Sequence, residues 1–205
     1  MNFSSKIVEQ AVDEFAKLPG VGRKTAFRFV VHLLKKDRSE LSAFAHSLLK
    51  LKEETRECKL CHNITETDIC SICASPRRDR KTLMVVEDIR DMLAIESTEQ
   101  FTGLYHLLGG VISPIDGIGP SDITAQHLMQ RVQEEGFSEL IMALRTTIEG
   151  DTTNFYLYKK LRRPGLKITT IARGVAIGGE LEYADEITLG RSILHRLEYE
   201  NTLTK

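Results

Sequence analysis

All four cysteines of this 205-residue chain fall within sixteen consecutive positions, "CKLCHNITETDICSIC". They are spaced Cys58-x2-Cys61, eight residues, then Cys70-x2-Cys73. A Cys-x-x-Cys turn bends the backbone so that two thiolates face one point, and two such knuckles supply the four soft ligands of a tetrahedral zinc. Four sulfurs fill the shell and leave no position for a catalytic water, so the expected role is structural: the metal folds a segment too small to fold alone. His62 stands beside a knuckle and is read as a bystander, because four cysteines already complete the shell. A redox Cys-x-x-Cys pair and unligated thiols are the competing readings.

A second chemistry-bearing stretch is "LPGVGRKTAFRFVVHLLKK", from Leu18 to Lys36. Pro19 cannot extend a helix, and Gly20 and Gly22 permit a tight turn and a close backbone approach. The amides that open the following helix lack intrahelical partners, which makes such a turn a phosphate cradle. Lys24 and Arg28, at i and i+4, flank it on one face with Arg23 beside it. This resembles the helix-hairpin-helix motif of sequence-independent DNA binders. A plain helical corner with basic neighbours is the bland alternative.

The third candidate is acidic. Glu87 follows an apolar strand pattern, and Glu149 and Asp151 in "TTIEGD" follow another, "ELIMAL". Ligands of open α/β sheets bind at strand carboxyl ends. An alternating pair can aim two carboxylates at one hard cation, with Glu87 opposite as a proton-transfer group. The arrangement looks like the Toprim domain of topoisomerases and primases, except that the first acid of the pair is Glu149 where that pattern has Asp. Solvated loop acids are the alternative reading.

The elements that must carry these residues follow from periodicity. Ile7 to Phe15 has the helix period; the next helix is expected to bury Ala26, Phe29, Val30, Leu33 and Leu34, and Leu41 to Leu51 reads as a third. "SPRRDRK", Ser75 to Lys81, is a basic, turn-forming linker, read as a hinge with phosphate contact as the alternative. Beyond it, strand and helix patterns alternate as in a parallel sheet. Strands are expected at 82–86, 105–108, 139–144 and 167–171, and helices at 88–95, 123–134 and 152–161. The closing "SILHRLEYE" has the helix period, with its apolar side packed on its own domain or on a neighbouring subunit. The predicted class is α/β, divided into a helical region 1–57, a zinc finger with basic linker 58–81, a parallel-sheet domain 82–172 and a C-terminal segment 173–205.

Composition agrees with a folded chain: 41% hydrophobic residues and a mean hydropathy of -0.19. The N-terminus "MNFSSKIVEQ" has no apolar signal core and no apolar run approaches the ~18 residues of a membrane span. A cytoplasmic chain without membrane association is therefore expected, where four clustered thiols favour metal over disulfides. The net charge of -1 hides an asymmetry: residues 1–81 carry 16 Lys and Arg against 11 Asp and Glu, whereas residues 82–205 carry 12 against 18. A basic half suits nucleic acid and an acidic half a metal or a basic partner.

Taken together, "LPGVGRKTAFR", the four cysteines, "LMVVEDIRDMLAIEST", "GLYHLLGGVISPIDGIGP", "IEGDTTNFYL" and "GGELEYADEITLGR" resemble, in content and order, the RecR family of bacterial recombination mediators. "ALRTTIEGD" departs from that family's usual Asn-Pro before the acidic pair, and "VVEDIR" varies its usual double Glu. The resemblance implies a non-catalytic, ring-forming oligomer, typically a tetramer. It would clamp DNA at the bacterial nucleoid and work with RecO and RecF to load RecA. It also likens "VAIGGELEYADEITL", Val175 to Leu189, to a Walker B segment, although no phosphate-loop motif accompanies it. Gly174, Gly178 and Gly179 there read as turn residues and Tyr183 as a packing residue. Glu87, Glu149 and Asp151 become a partner-docking surface, with magnesium left open and no catalytic role expected of it. The alternative function is a small Toprim-type magnesium-dependent nuclease or phosphotransferase using the same three acids.

Overall fold

The computed structural model describes residues 3–175 and 178–198. They form two compact units, Met1–Thr55 and Arg56–Lys205. No described helix is long and apolar enough to cross a membrane.

The first unit is three helices, α1 (Lys6–Ala16), α2 (Arg23–Leu34) and α3 (Arg38–Glu54). Ser5 and Asp37 cap α1 and α3 by accepting backbone N–H bonds from Val8 and Glu40, satisfying amides the helices cannot. The core lies between α1 and α2, where Val12, Ala26 and Val30 are buried among Val8, Ala11, Phe15, Val21 and Phe27. Phe29 and Leu34 are exposed, contrary to expectation. The row 26–30 faces α1, which leaves Phe29 and Leu33 on the adjacent row. There, with Phe15, Leu18, Leu41 and Phe44, they line an open apolar groove of about 470 Å³. Helix α3 buries none of its residues within the chain.

The second unit begins with a short antiparallel hairpin, β1 (Arg56–Glu57) and β2 (Ile64–Thr65), and the single-turn helix α4 (Ser71–Ala74). A four-stranded parallel sheet follows, of β3 (Thr82–Val86), β4 (Leu104–Leu107), β5 (Glu139–Met142) and β6 (Lys167–Thr170), in the order β4-β3-β5-β6. Side chains alternate across it. Leu83 and Val85 enter one core with Leu128, Val132, Leu157 and Leu161 from α6 (Ala125–Glu135) and α7 (Ile148–Leu161). Met84 and Val86 enter the other with Met92 from α5 (Ile89–Glu96). Covering both faces is what a parallel sheet of near-continuous apolar strands requires. The chain passes from β3 to β4 on one side and returns to β5 on the other, so the order reverses between β3 and β5. Ligand sites of open sheets form outside the carboxyl ends at such a point.

Two local features deviate from the sequence reading. Helix α7 starts at Ile148, a turn earlier than expected, because the Thr147 hydroxyl caps it by accepting from the Gly150 amide at 3.1 Å. A Cβ on Gly150 would lie 2.0 Å from the Arg145 carbonyl oxygen, so only glycine fits that approach. The basic linker is not a free hinge. Arg78 pairs with Glu96 through both terminal nitrogens and also reaches the Phe101 carbonyl, while the Asp79 amide donates to Thr102 O at 2.8 Å.

The C-terminal segment holds one 3-10 turn, Leu181–Tyr183, and α8 (Glu186–Leu194). Gly178 has φ +80°, as a turn residue there should. Tyr183 does not pack: it is 79% exposed. Ala176 and Ile177 of the Walker B-like stretch, and Tyr199 and Glu200 at the end of the "SILHRLEYE" pattern, lie outside the described residues. Ile187, Ile193 and Leu194 are exposed, whereas Leu189 of the same helix is half-buried.

Candidate metal centre and nucleic-acid interface

The knuckles are built by backbone before they are closed by metal. The Cys58 amide donates to Asn63 O at 2.7 Å and the His62 amide returns to Cys58 O at 2.9 Å, a turn that puts His62 in the left-handed region at φ 63°. At the second knuckle the Cys70 sulfur caps α4 by accepting from the Cys73 amide, and the Cys70 amide donates to the Cys58 sulfur at 3.3 Å. All four cysteines are buried and free, and their sulfurs lie within 4.8 Å of one another. The Sγ atoms of Cys61 and Cys70 are 3.6 Å apart, close to the ~3.8 Å edge of a tetrahedron with Zn–S of about 2.3 Å.

Without a cation the thiols cannot ionise together. Hydrogen bonding with Cys70 and Cys73, then burial, pushes the Cys61 thiol up, whereas bonds from Cys61 and Cys73 pull Cys70 down. A dication removes that conflict by stabilising every thiolate at once. The cluster is a structural zinc site. It is also tied to the sheet: the Leu107 amide of β4 donates to Cys61 O at 2.8 Å.

His62 stays outside the four-cysteine shell, as expected, but it has partners of its own. Its Nδ1 lies 2.9 Å from a Glu57 carboxylate oxygen and its Nε2 lies 2.7 Å from Nδ1 of His127 on α6. The His106 ring of β4 packs 5.3 Å away, centroid to centroid. Sequence positions 62, 106 and 127 are too far apart for spacing to reveal the cluster. The legible hint was a polar ring inside "LYHL", a strand buried at every position, because a buried imidazole needs partners.

At the α1–α2 turn, Gly20 has φ +77° and Gly22 is the N-cap of α2 with no side chain to bond the first amides. Among the described residues nothing beyond the chain neighbours lies within 4 Å of a Cβ built on either glycine, so the backbone is open to approach. No acid occupies the first turn of α2, which leaves the positive helix end uncompensated. Lys24 and Arg28 are both exposed beside it and make no ion pair among the described residues. Arg23 is different: its guanidinium is turned back onto α1, 2.6 Å from Asp13 and 4.0 Å from Glu9. Lys24 and Arg28 thus stand on the helix that Gly22 opens, unpaired among the described residues, whereas Arg23 is paired with Asp13.

The acidic residues do not converge on a cation among the described residues. Glu149 and Asp151 lie in the first turn of α7 rather than on an extended loop. Residues i and i+2 of a helix point away from each other, so this pair cannot clamp one ion. Glu87, only 8% exposed, is held by Arg145 in a two-pronged pair with both bonds at 2.5 Å, bridging the carboxyl ends of β3 and β5. Arg173 lies 2.6 Å from Asp151 and holds its carboxyl below the usual range. Glu149 alone of the three has no ion pair among the described residues, and it is half-buried.

Four family models match in chain order: RecR, helix-hairpin-helix at residues 8–52; the RecR four-cysteine zinc finger domain at 55–75; Toprim domain at 81–172; and RecR, C-terminal at 174–196. Curated relatives named Recombination protein RecR align along nearly the whole chain. Those of Bacteroides thetaiotaomicron and Flavobacterium johnsoniae are 57% and 52% identical, each alignment covering 98% of both chains. The chain belongs to the RecR family. In RecR terms the α1–α2 turn is the helix-hairpin-helix, the knuckles are the four-cysteine finger and the four-stranded sheet is the Toprim domain. The Glu87–Arg145 pair occupies the carboxyl edge of that Toprim sheet.

Proposed function

We propose that this chain is a mediator of DNA recombination and repair, without catalysis of its own, that grips DNA irrespective of sequence through the α1–α2 turn. The observation that carries the reading is the open helix end at Gly20 and Gly22 with Lys24 and Arg28 unpaired on one face among the described residues. Backbone amides and cations on phosphate fix a protein on DNA but carry no base information.

A single cradle with two cations grips few phosphates, so a ring that multiplies the cradles suits the task. The apolar groove lined by Phe29, Leu41 and Phe44, the unburied face of α3 and the exposed Ile187, Ile193 and Leu194 of α8 are surfaces for self-association into a tetrameric clamp. Light scattering is expected to give about four times 23.1 kDa, on DNA as well as free. A monomer that binds DNA as tightly as any assembly would remove the ring.

In this reading the protein works in the bacterial cytoplasm, at the nucleoid, with RecO and RecF to load RecA. Of the docking acids, Glu149 is the one still accessible and unpaired among the described residues, and it would steer a basic RecO surface. Glu149→Gln is expected to slow RecO association, with a weaker salt dependence of the on-rate, and to leave DNA binding unchanged. Stopped-flow association rates that do not respond would dismiss Glu149 as the docking residue.

A further inference from the structure

We propose that His62, His106 and His127 form a second metal site, a three-imidazole cradle for a transition dication of the zinc or cobalt class, separate from the four cysteines. Their ligand nitrogens lie within 4.8 Å of one another, contributed by the first knuckle, β4 and α6.

The hydrogen bonds dictate which nitrogen of each ring carries a free lone pair. His106 Nε2 faces two oxygens of Thr124, the carbonyl at 3.3 Å and the hydroxyl at 3.0 Å. The carbonyl only accepts, and the hydroxyl already donates its proton to Leu107 O at 2.8 Å. The proton of His106 therefore sits on Nε2, and Nδ1 keeps its lone pair. That Nδ1 is buried with no partner among the described residues, on a side chain that is 0% exposed. Such an orphan is destabilising unless something occupies it. Burial, then the nearby Arg131 charge, keeps the ring neutral, the state in which imidazole ligates.

His62 is fixed likewise. Its Nδ1 faces the Glu57 carboxylate, an acceptor, so Nε2 presents the lone pair. A carboxylate behind the distal nitrogen is the usual support of a metal-bound histidine. His127 Nδ1 then closes the empty cradle by donating to His62 Nε2 across 2.7 Å. Moving the His127 proton to its other nitrogen frees a third lone pair in the cluster with no change in net protonation.

Metal–nitrogen bonds of about 2.0–2.1 Å put tetrahedral ligands roughly 3.3 Å apart, within side-chain reach of the observed spacing. Three imidazoles with no carboxylate ligand favour zinc, cobalt, nickel or copper over magnesium. Arg131, the nearby positive charge, is offset by Glu135 at 2.7 Å. The metal would leave one position to water and pin the knuckle to β4 and α6.

The test uses the full chain with zinc in its cysteine site and Co²⁺ as the probe. Elemental analysis after gel filtration is expected to find one zinc and one cobalt per chain. The cobalt should show d–d absorption and no thiolate-to-cobalt charge transfer. His127→Ala and His62→Ala should each abolish the cobalt equivalent while keeping the zinc, and Glu57→Gln should weaken cobalt binding about tenfold or more. His127 lies on α6, away from the knuckle turn, so its variant keeps the test decisive if His62→Ala loses the finger. No cobalt retained at saturation, cobalt binding indifferent to His127→Ala, or a thiolate charge-transfer band would each overturn the site.

Discussion

Cys58→Ser is expected to release the zinc and unfold the segment from Arg56 to Ala74. The hairpin β1–β2 has two residues per strand, far below what stands alone in water. Its buried cluster is the cysteines themselves with Leu60 and Ile72 packed against them. The fold of the segment is therefore the metal's binding energy, for which zinc-finger peptides give about 10–16 kcal/mol. Removing one thiolate also removes the acceptor of the Cys70 amide and leaves that donor without its bond. The damage should reach the sheet, because Cys61 O accepts from Leu107 of β4 and Arg80 donates to Cys73 O. A loss of about 4 kcal/mol or more is expected, in the range that marks a lost structural metal. At this chain length that lowers the melting temperature by roughly 10 °C. Zinc content well below one per chain and a lowered transition check it; full zinc with an unchanged transition would contradict it.

The zinc ligands were legible because thiol chemistry is carried by spacing within sixteen residues, and the parallel sheet because strands buried on both faces read as apolar runs, as in "LMVV". What local pattern did not carry was which charges meet. Arg145 and Glu87 lie 58 positions apart and Asp151 and Arg173 lie 22 apart, and both pairs exist only once β3, β5 and α7 are in place. The acids looked convergent because an Asp-like pair at i and i+2 is convergent on an extended loop and divergent on a helix, and the Thr147 cap decided for helix. The helix period places Phe29 and Leu34 inside, yet both are exposed. Among the described residues nothing buries that second side of the two-helix hairpin, and α3 buries none of its own residues. Arg23 looked like part of the cradle on sequence alone, since Asp13 lies on the preceding helix.

The measurement that bears most directly on DNA binding by the α1–α2 turn is the salt dependence of affinity. It compares the unaltered protein, Lys24→Ala/Arg28→Ala and Arg23→Ala on two duplexes of unrelated sequence. The unaltered protein should bind both duplexes equally, with log K falling linearly against log salt. The double variant should lose roughly a factor of ten per cation removed, since each charged hydrogen bond contributes about 1.5–3 kcal/mol. Its slope should become shallower by roughly one for each phosphate no longer neutralised, about two for each engaged subunit. Arg23→Ala should change neither by much, because Asp13 already holds that guanidinium. A double variant with the affinity and slope of the unaltered protein would contradict the cradle at Gly20 and Gly22.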